Sequence, residues 1–576
     1  MFRALLSAVL LLLGQACSEP QPPVEEAGAK PQAPVAAEPG ASQGLPNILL
    51  IVLDDVAFTD LGIFGGEIGT PNLDSLAREG VVLTNFHVTP NCSPTRAMLL
   101  SGSDNHIAGL GNMAEEIPQN QAGKPGYEGY LNFSVAALPE VLQEAGYHTY
   151  MTGKWHLGLT EETSPAARGF EKSFAMLQGG AGAFDNMLPL IGPGKARYRE
   201  DGRALDALPE GFYSTRFYTK RLIEYIESNR ADDKPFFGYL AHTSAHWPLQ
   251  APQESINRYR GRFDRGYDVY QAKRLARLKE LGFVAENVEA FPRLPGEPAW
   301  EELSEEKRKI EARMMEIYAA MISDIDLYLG KLLDYLKETG ELQETFIFVM
   351  ADNGPEGHHL DRGWEALAKW VKECCDNSYE NMGKPDSYLW YGQNWAQAGN
   401  TPRRMYKGFT SQGGVHVPAF AWYPRAVPGR RVVEHIISVM DVMPTLLEVA
   451  GIPRPGRQFR GREVVPMQGR SLLPLLRGDV DSIHGPDYWI GWELFSKRAV
   501  RRGDWKLLYE PYHEVLEPRP DGIKTDTWQL YNLAEDPREL NDLSAQYPDK
   551  LAEMKGLWEQ YARDNNVILP DHWSGY

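Results

Sequence analysis

Cysteine is the rarest residue in this chain: among 576 residues there are four, Cys17, Cys92, Cys374 and Cys375. So few cannot build a disulfide framework. The fold therefore rests on a hydrophobic core, which a chain of this length with 43% hydrophobic and 24% charged residues can supply. Positive charge is also short. A formal net charge of -19 argues against a nucleic-acid binder, because such proteins use cationic surface to displace counterions from phosphates; an acidic whole can still hold a cationic pocket. The apolar run Leu5 to Leu13 is too short to span a bilayer, and no repeat of solenoid period is evident.

The N-terminus reads as an export signal over residues 1–16, with Arg3 as its positive charge, Leu5 to Leu13 as its apolar core and small residues at Gly14-Gln15-Ala16. Cys17 follows directly and resembles the lipidated cysteine of bacterial lipoproteins, with Gly14 where leucine is more usual. The alternative is plain secretion with Cys17 unmodified. Residues 17–46 are rich in Pro, Ala and Glu, cannot bury enough surface to fold, and read as a tether. The expected location is the periplasm, free or anchored to the outer membrane through Cys17.

Residues 47–484 read as one large α/β domain with a mostly parallel central sheet flanked by helices. Asn47 to Leu53 is a continuous β-branched and leucine run, hence a buried strand, and it ends in Asp54 and Asp55. Thr345 to Met350 is a second such strand, followed by Asp352-Asn353-Gly354. Ligands gather at the carboxyl ends of parallel strands, so two strands that each deliver oxygen donors there point to a metal site. Thr70 to Gly80 reads as a short helix closed by glycine, and Met314 to Lys337 as a long amphipathic helix whose stripe is core. Residues 485–576 change texture to short strands, Trp505–Tyr509 and Trp528–Tyr531, with a final helix near Asp549 to Ala562. They read as a smaller C-terminal antiparallel sheet with a helix. Cys374 and Cys375 can be two reduced thiols or a vicinal bridge, and the reduced pair is the expectation. The aromatic stretch Tyr388 to Trp395 can be core or the lining of an apolar substrate pocket.

Cys92-Ser93-Pro94-Thr95-Arg96-Ala97-Met98-Leu99-Leu100-Ser101-Gly102 places a cysteine at the start of a helical run, where backbone N–H groups and the helix dipole favour an anion. This stretch closely resembles the sulfatase signature, in which Cys-x-Pro-x-Arg directs oxidation of the cysteine to Cα-formylglycine; Ser101 stands where threonine is commoner. With Leu53-Asp54-Asp55, Thr152-Gly153-Lys154-Trp155-His156-Leu157-Gly158, Ala245-His246-Trp247-Pro248, Ala351-Asp352-Asn353-Gly354 and Tyr406-Lys407-Gly408 in the same order, the chain from Asn47 onward resembles the bacterial arylsulfatases of the alkaline-phosphatase-like superfamily.

The resemblance implies hydrolysis of aryl, and also alkyl, sulfate monoesters. Asp54, Asp55, an oxygen on modified Cys92, Asp352 and Asn353 are implied metal ligands; three carboxylates, one amide and no soft ligand suit calcium, with magnesium less favoured given so many protein oxygens. Arg96 and Lys154 are implied to hold the modified Cys92. Lys154, His246 and Lys407 are implied to bind sulfate, with His246 or Lys407 protonating the leaving alcohol, and His156 is the implied base. One hydroxyl of a formylglycine hydrate attacks sulfur, and deprotonation of the other frees sulfate from the sulfo-enzyme. The implied partners are a small sulfate ester and a formylglycine-generating enzyme. Two alternatives share the fold or the surface location: a phosphonate monoester or phosphodiester hydrolase, and a glycan-binding surface protein with a degenerate site.

Overall fold

The computed structural model describes residues 44–360, 365–511 and 527–571. The leader, Cys17 and nearly all of the tether lie outside the described residues. Leu45–Tyr576 forms one compact unit. Its centre is a ten-stranded sheet built from β1 (Asn47–Leu53), β2 (Val81–Leu83), β3 (His148–Lys154), β4 (Lys172–Met176), β5 (Tyr198–Glu200), β6 (Arg203–Leu205), β7 (Phe236–Ala241), β8 (Thr345–Ala351), β9 (Ala419–Trp422) and β10 (Arg431–Val433). The spatial order is β10-β2-β9-β8-β1-β7-β3-β4-β5-β6.

The middle strands β8, β1, β7, β3 and β4 run parallel, while β9 on one side and β5 on the other run against them, and β6 pairs antiparallel with β5. All seven residues of β1 and all seven of β8 are buried, as an unbroken apolar run requires when both sheet faces are covered. Register sets the site. Leu53 pairs with Ala351, Val52 with Ala241, and Gly153 also with Ala241. Four strands therefore end level, and the residues that follow them emerge side by side.

Helix α1 (Pro71–Glu79) ends at Gly80 as expected. α2 (Cys92–Ser101) begins at Cys92 itself, with Asn91 as cap: Asn91 Oδ1 accepts from the Cys92 N–H at 2.8 Å. Pro94 is thus the third helical residue, still within the first turn, where backbone N–H groups lack helical partners. α3 (Ser214–Asn229) and α4 (Glu305–Glu338) pack on each other, and α3 lies on β3, β4 and β7. α4 starts at Glu305, ahead of its apolar stripe, because Ser304 caps it by accepting from Lys307 N at 3.2 Å.

The smaller sheet is antiparallel, with β11 (Trp489–Leu494), β12 (Lys497–Arg502), β13 (Trp505–Tyr509) and β14 (Gln529–Asn532) in that order. Helix α5 (Pro548–Asp564) covers one face through Met554, Trp558 and Tyr561. The other face packs Ile490, Trp492 and Leu508 against Val415. Trp492 Nε1 also donates to the Val88 carbonyl at 2.8 Å, bracing the turn that leads into Cys92. The sulfurs of Cys374 and Cys375 are bonded to each other, which corrects the expectation of reduced thiols: α6 (Glu365–Cys374) ends between the two residues, so Cys375 leaves the helical path that would hold the side chains apart.

Candidate active site

All ten residues singled out for chemistry converge on the carboxyl edge of the sheet. Asp54 and Asp55 follow β1, Asp352 and Asn353 follow β8, Lys154 ends β3 with His156 just beyond, and His246 comes from the turn after β7. α2 supplies Cys92 and Arg96, and Lys407 enters on the loop that leaves Thr401. Two turns are bent to deliver their side chains. Asp55 and His156 sit at φ 58° and 54°, a left-handed conformation that costs about 1–2 kcal/mol for a residue with a Cβ. Gly153, at φ 114°, has no such choice: a Cβ there would lie 1.7 Å from the Ala241 carbonyl oxygen of the neighbouring strand.

Cys92 is buried, with Sγ 3.6 Å from Asp54 Oδ1 and 4.0 Å from Asp55 Oδ1. One donor atom each from Asp54, Asp55, Cys92 and Asp352 lies within 4.8 Å of all the others. Asn353 donates through Nδ2 to Asp55 Oδ1 at 2.6 Å and to the Gly354 carbonyl at 2.8 Å. Its buried Oδ1 is left with no protein partner and completes the acceptor set. Three carboxylates and an orphaned amide oxygen fit a hard divalent cation of the calcium type.

Cations hold the carboxylates from outside. Lys154 Nζ lies 2.9 and 2.8 Å from the two Asp54 oxygens. Arg96 donates to Asp352 Oδ2 through Nε at 2.9 Å and Nη2 at 2.7 Å, and through Nη1 to the Lys154 carbonyl at 3.1 Å. Lys407 Nζ is 3.0 Å from Asp55 Oδ2 and 3.4 Å from Glu356 Oε2. Burial nevertheless dominates at two acids: it pushes Asp54 up to about 7 despite Lys154, and raises Asp55 despite Lys407. At Asp352 the same burial is outweighed by Arg96 and Lys154, which hold that carboxyl below its ordinary range. Burial, reinforced by the Asp352 charge, drives the Cys92 thiol well above its usual range.

The two histidines are set differently. His246 Nδ1 donates to the Trp247 carbonyl at 2.6 Å, so Nε2 carries the lone pair and accepts from Lys407 Nζ at 3.1 Å. His156 Nε2 donates to Glu115 Oε1 at 3.1 Å, while its buried Nδ1 has no partner. Burial lowers the His156 pKa, with Lys154 and Arg96 adding to it against the pull of Glu115. Burial would raise Glu115, but the adjacent His156 outweighs it and holds that carboxyl near 2.

Three features of the site escape a reading of the sequence. Glu115 lies 41 positions before its partner in an irregular segment and carries no local signal. Glu356, which accepts from both His358 N at 2.9 Å and His358 Nδ1 at 2.6 Å, could have been suspected from its place four residues after Asp352. Gly179 and Gly180 back the rings: Cβ atoms there would lie 2.9 Å from His156 Cε1 and 3.1 Å from His246 Nδ1.

The sulfatase family model matches residues 46–452. A second, described as N-sulphoglucosamine sulphohydrolase, C-terminal, matches residues 403–563. An uncharacterized sulfatase of Schizosaccharomyces pombe is 44% identical over 542 residues, covering 91% of this chain and 95% of its own length. An arylsulfatase of Klebsiella aerogenes is 36% identical over 438 residues, 75% of this chain and 92% of that one. Among solved structures, one in complex with k-i-k-neocarrahexaose aligns with a TM-score of 0.64 at 22% identity, covering 92% of this chain and 95% of that one. The phosphonate monoester hydrolase of Agrobacterium radiobacter aligns at 0.52 and 19% identity, covering 90% and 96%. At these identities both likenesses speak to the fold alone. With the sulfatase model spanning most of the chain and sequence relatives covered nearly end to end, this chain belongs to the sulfatase family and is a sulfuric ester hydrolase.

Proposed function

We propose that the chain hydrolyses sulfate monoesters of phenols and other apolar alcohols, with Cys92 working as Cα-formylglycine beside a calcium ion. The observation that carries this is the place of Cys92. Its side chain is buried at the start of α2 with Sγ 3.6 Å from Asp54 Oδ1 and 4.0 Å from Asp55 Oδ1, inside a set of hard oxygen donors that a soft sulfur does not suit and a hydroxyl oxygen at the same position does. The hydrated aldehyde supplies two hydroxyls on one carbon, one to attack sulfur and one whose deprotonation releases sulfate, and calcium supplies positive charge against the oxygens.

The protein's own groups then divide the work. Arg96 and Lys154 orient Asp352 and Asp54 around the Cys92 position. His156, with Nδ1 free and Nε2 tied to Glu115, is built to accept a proton. Lys407 holds the proton that the leaving oxygen needs.

Support for an apolar alcohol comes from the wall beside His246. Trp247, whose ring lies 5.1 Å from that of His246, joins Met113, Tyr388, Leu188, Leu190 and Trp390 in one apolar cluster. Tyr388, Leu389, Tyr391 and Trp395 are otherwise buried, so most of the aromatic stretch is core and Trp390 is its half-buried member. Export, and lipid attachment through Cys17, remain part of the proposal; Cys17→Ala would then release the protein from membranes.

The deciding experiment is the mass of the peptide containing Cys92 in active enzyme, paired with turnover of an aryl sulfate and an aryl phosphodiester. A formylglycine mass with sulfate turnover dominant is expected. Unmodified cysteine in fully active protein, or a preference for the phosphodiester, contradicts the reading.

A further inference from the structure

A second cluster of buried cations stands apart from the catalytic groups. It lines a cleft of about 550 Å³ between the loop at 282–288, the residues after β14 and the start of β9's approach, and no residue of the catalytic cluster borders it. Two arginines reach this cleft, Arg403 and Arg501, each 7% exposed.

What holds them is unusual for buried guanidiniums. Arg403 Nε donates to His416 Nδ1 at 3.1 Å, and His416 Nε2 in turn donates to the Thr84 carbonyl at 2.5 Å. Arg501 Nη1 donates to His87 Nε2 at 3.0 Å and to Asn85 Oδ1 at 2.9 Å, with His87 Nδ1 donating to the Asn85 carbonyl at 3.0 Å. Both imidazoles therefore act as neutral acceptors, and they stack with centroids 5.0 Å apart. Neither arginine makes an ion pair among the described residues; Asp504 and Glu434, at the rim, are the acids that line the cleft. Arg403 lies with Cζ 3.7 Å over the Phe58 ring, and its buried Nη1 has no partner. Burial and the nearby Arg501 pull Arg403 down to about 9.

A buried guanidinium without a counter-charge is strongly disfavoured unless an anion joins it. Asp504 and Glu539 offset part of the Arg501 charge, whereas Arg403 has only the second cation beside it, so a cleft with a mixed polar and apolar wall holds one uncompensated guanidinium and describes a half-built binding site. From this geometry we infer that the cleft binds a small organic oxyanion, its sulfonate, sulfate or carboxylate end on Arg403 beside Arg501 and its apolar body against Phe283, Val288 and Pro537. Arg403 has one buried donor, Nη1, that no protein group takes up, and the apolar residues give an organic body an advantage over a bare inorganic ion. The site is separate from sulfate-ester turnover and does not depend on how Cys92 works.

The test is calorimetric titration of the full chain with 2-naphthalenesulfonate, whose carbon–sulfur bond is not a sulfate ester, and with neutral 2-naphthamide as control. Saturable sulfonate binding without amide binding is expected. Arg403→Met should weaken it roughly ten- to hundredfold without lowering Tm in anion-free buffer, since the replacement removes a buried charge and keeps contact with Phe58. Ala285→Trp, at an exposed position on the rim, should block the cleft and abolish binding while leaving the arginines in place, and so decides the matter if Arg403→Met does not fold. Binding that survives either change, binding that is lost in Lys407→Ala instead, or no saturable binding by the wild type overturns the inference.

Discussion

Lys407 and His246 share one hydrogen bond, Nζ to Nε2 at 3.1 Å, and its direction fixes where the proton is. The other ring nitrogen donates to the Trp247 carbonyl, and burial together with Lys407 pushes the His246 pKa well below the ordinary range. With the imidazole neutral, the proposed mechanism takes the proton for a departing alkoxide from Lys407. His246 positions that ammonium.

The leaving group then becomes the probe. Lys407→Ala should cost roughly a hundred- to ten-thousandfold in kcat for an alkyl sulfate and much less for 4-nitrophenyl sulfate, because nitrophenolate departs without a proton. Plotted against the leaving-group pKa, log kcat/KM should fall more steeply for the variant than for wild type. Parallel lines would place the acid elsewhere.

Glu115 is expected to tune His156. It accepts from Nε2 at 3.1 Å and thereby aims Nδ1 at the site, and its charge favours the imidazolium against burial. Glu115→Gln keeps an acceptor but removes the charge, so the His156 pKa falls further. The acidic limb of kcat, set by the loss of neutral His156 in the sulfated enzyme, should move to lower pH while the maximal rate falls. A limb that stays in place would mean that His156 is not the titrating base.

Calcium should stabilise the fold in a pH-dependent way. Without a cation, burial raises Asp54 from 3.8 to about 7. A carboxyl raised on folding contributes stability that is full below its unfolded pKa and lost as pH climbs through the folded one. The metal-free protein should therefore weaken between pH 4 and about 7 on account of Asp54. A cation that neutralises this cost should raise Tm more at pH 8 than at pH 5, read by thermal unfolding with calcium or chelator. Equal gains at both pH values, or turnover unchanged after metal loss is confirmed by elemental analysis, would refute a calcium site at these carboxylates.

How far the sequence reaches depends on the range of the forces involved. Asn47–Leu53 is legible as a strand because a parallel strand covered on both faces must be apolar throughout, and the acids after it mark its carboxyl end. α4 was legible from Met314, yet it begins at Glu305: its first turns carry Glu, Lys and Arg, good helix formers that leave no apolar periodicity to see. Glu115 and the Arg403–His416 and Arg501–His87 pairs were invisible, because each is defined by a partner brought in by the fold rather than by a neighbour in the chain. The bond between Cys374 and Cys375 hinges on where a helix ends, a boundary that sequence patterns locate poorly.

Cys92→Ser asks why the site needs more than a hydroxyl. The serine oxygen would occupy the place of Sγ, near Asp54 and Asp55 and at the N-terminus of α2, so attack on sulfur remains possible, with Lys407 still able to protonate the alcohol. A single hydroxyl offers no second O–H for His156 to deprotonate, and the seryl sulfate that forms has no route to expel sulfate by C–O cleavage. The variant should release roughly one equivalent of phenol and then stop, as when only the first half of a covalent mechanism survives. Mass spectrometry should find sulfate on the peptide carrying position 92. Glu115→Gln in the modified enzyme should instead slow the second half while sparing the initial burst, because its effect passes through His156. Sustained turnover by Cys92→Ser would show that water attacks the sulfated residue directly, and the paired-hydroxyl chemistry assigned to position 92 would have to be abandoned.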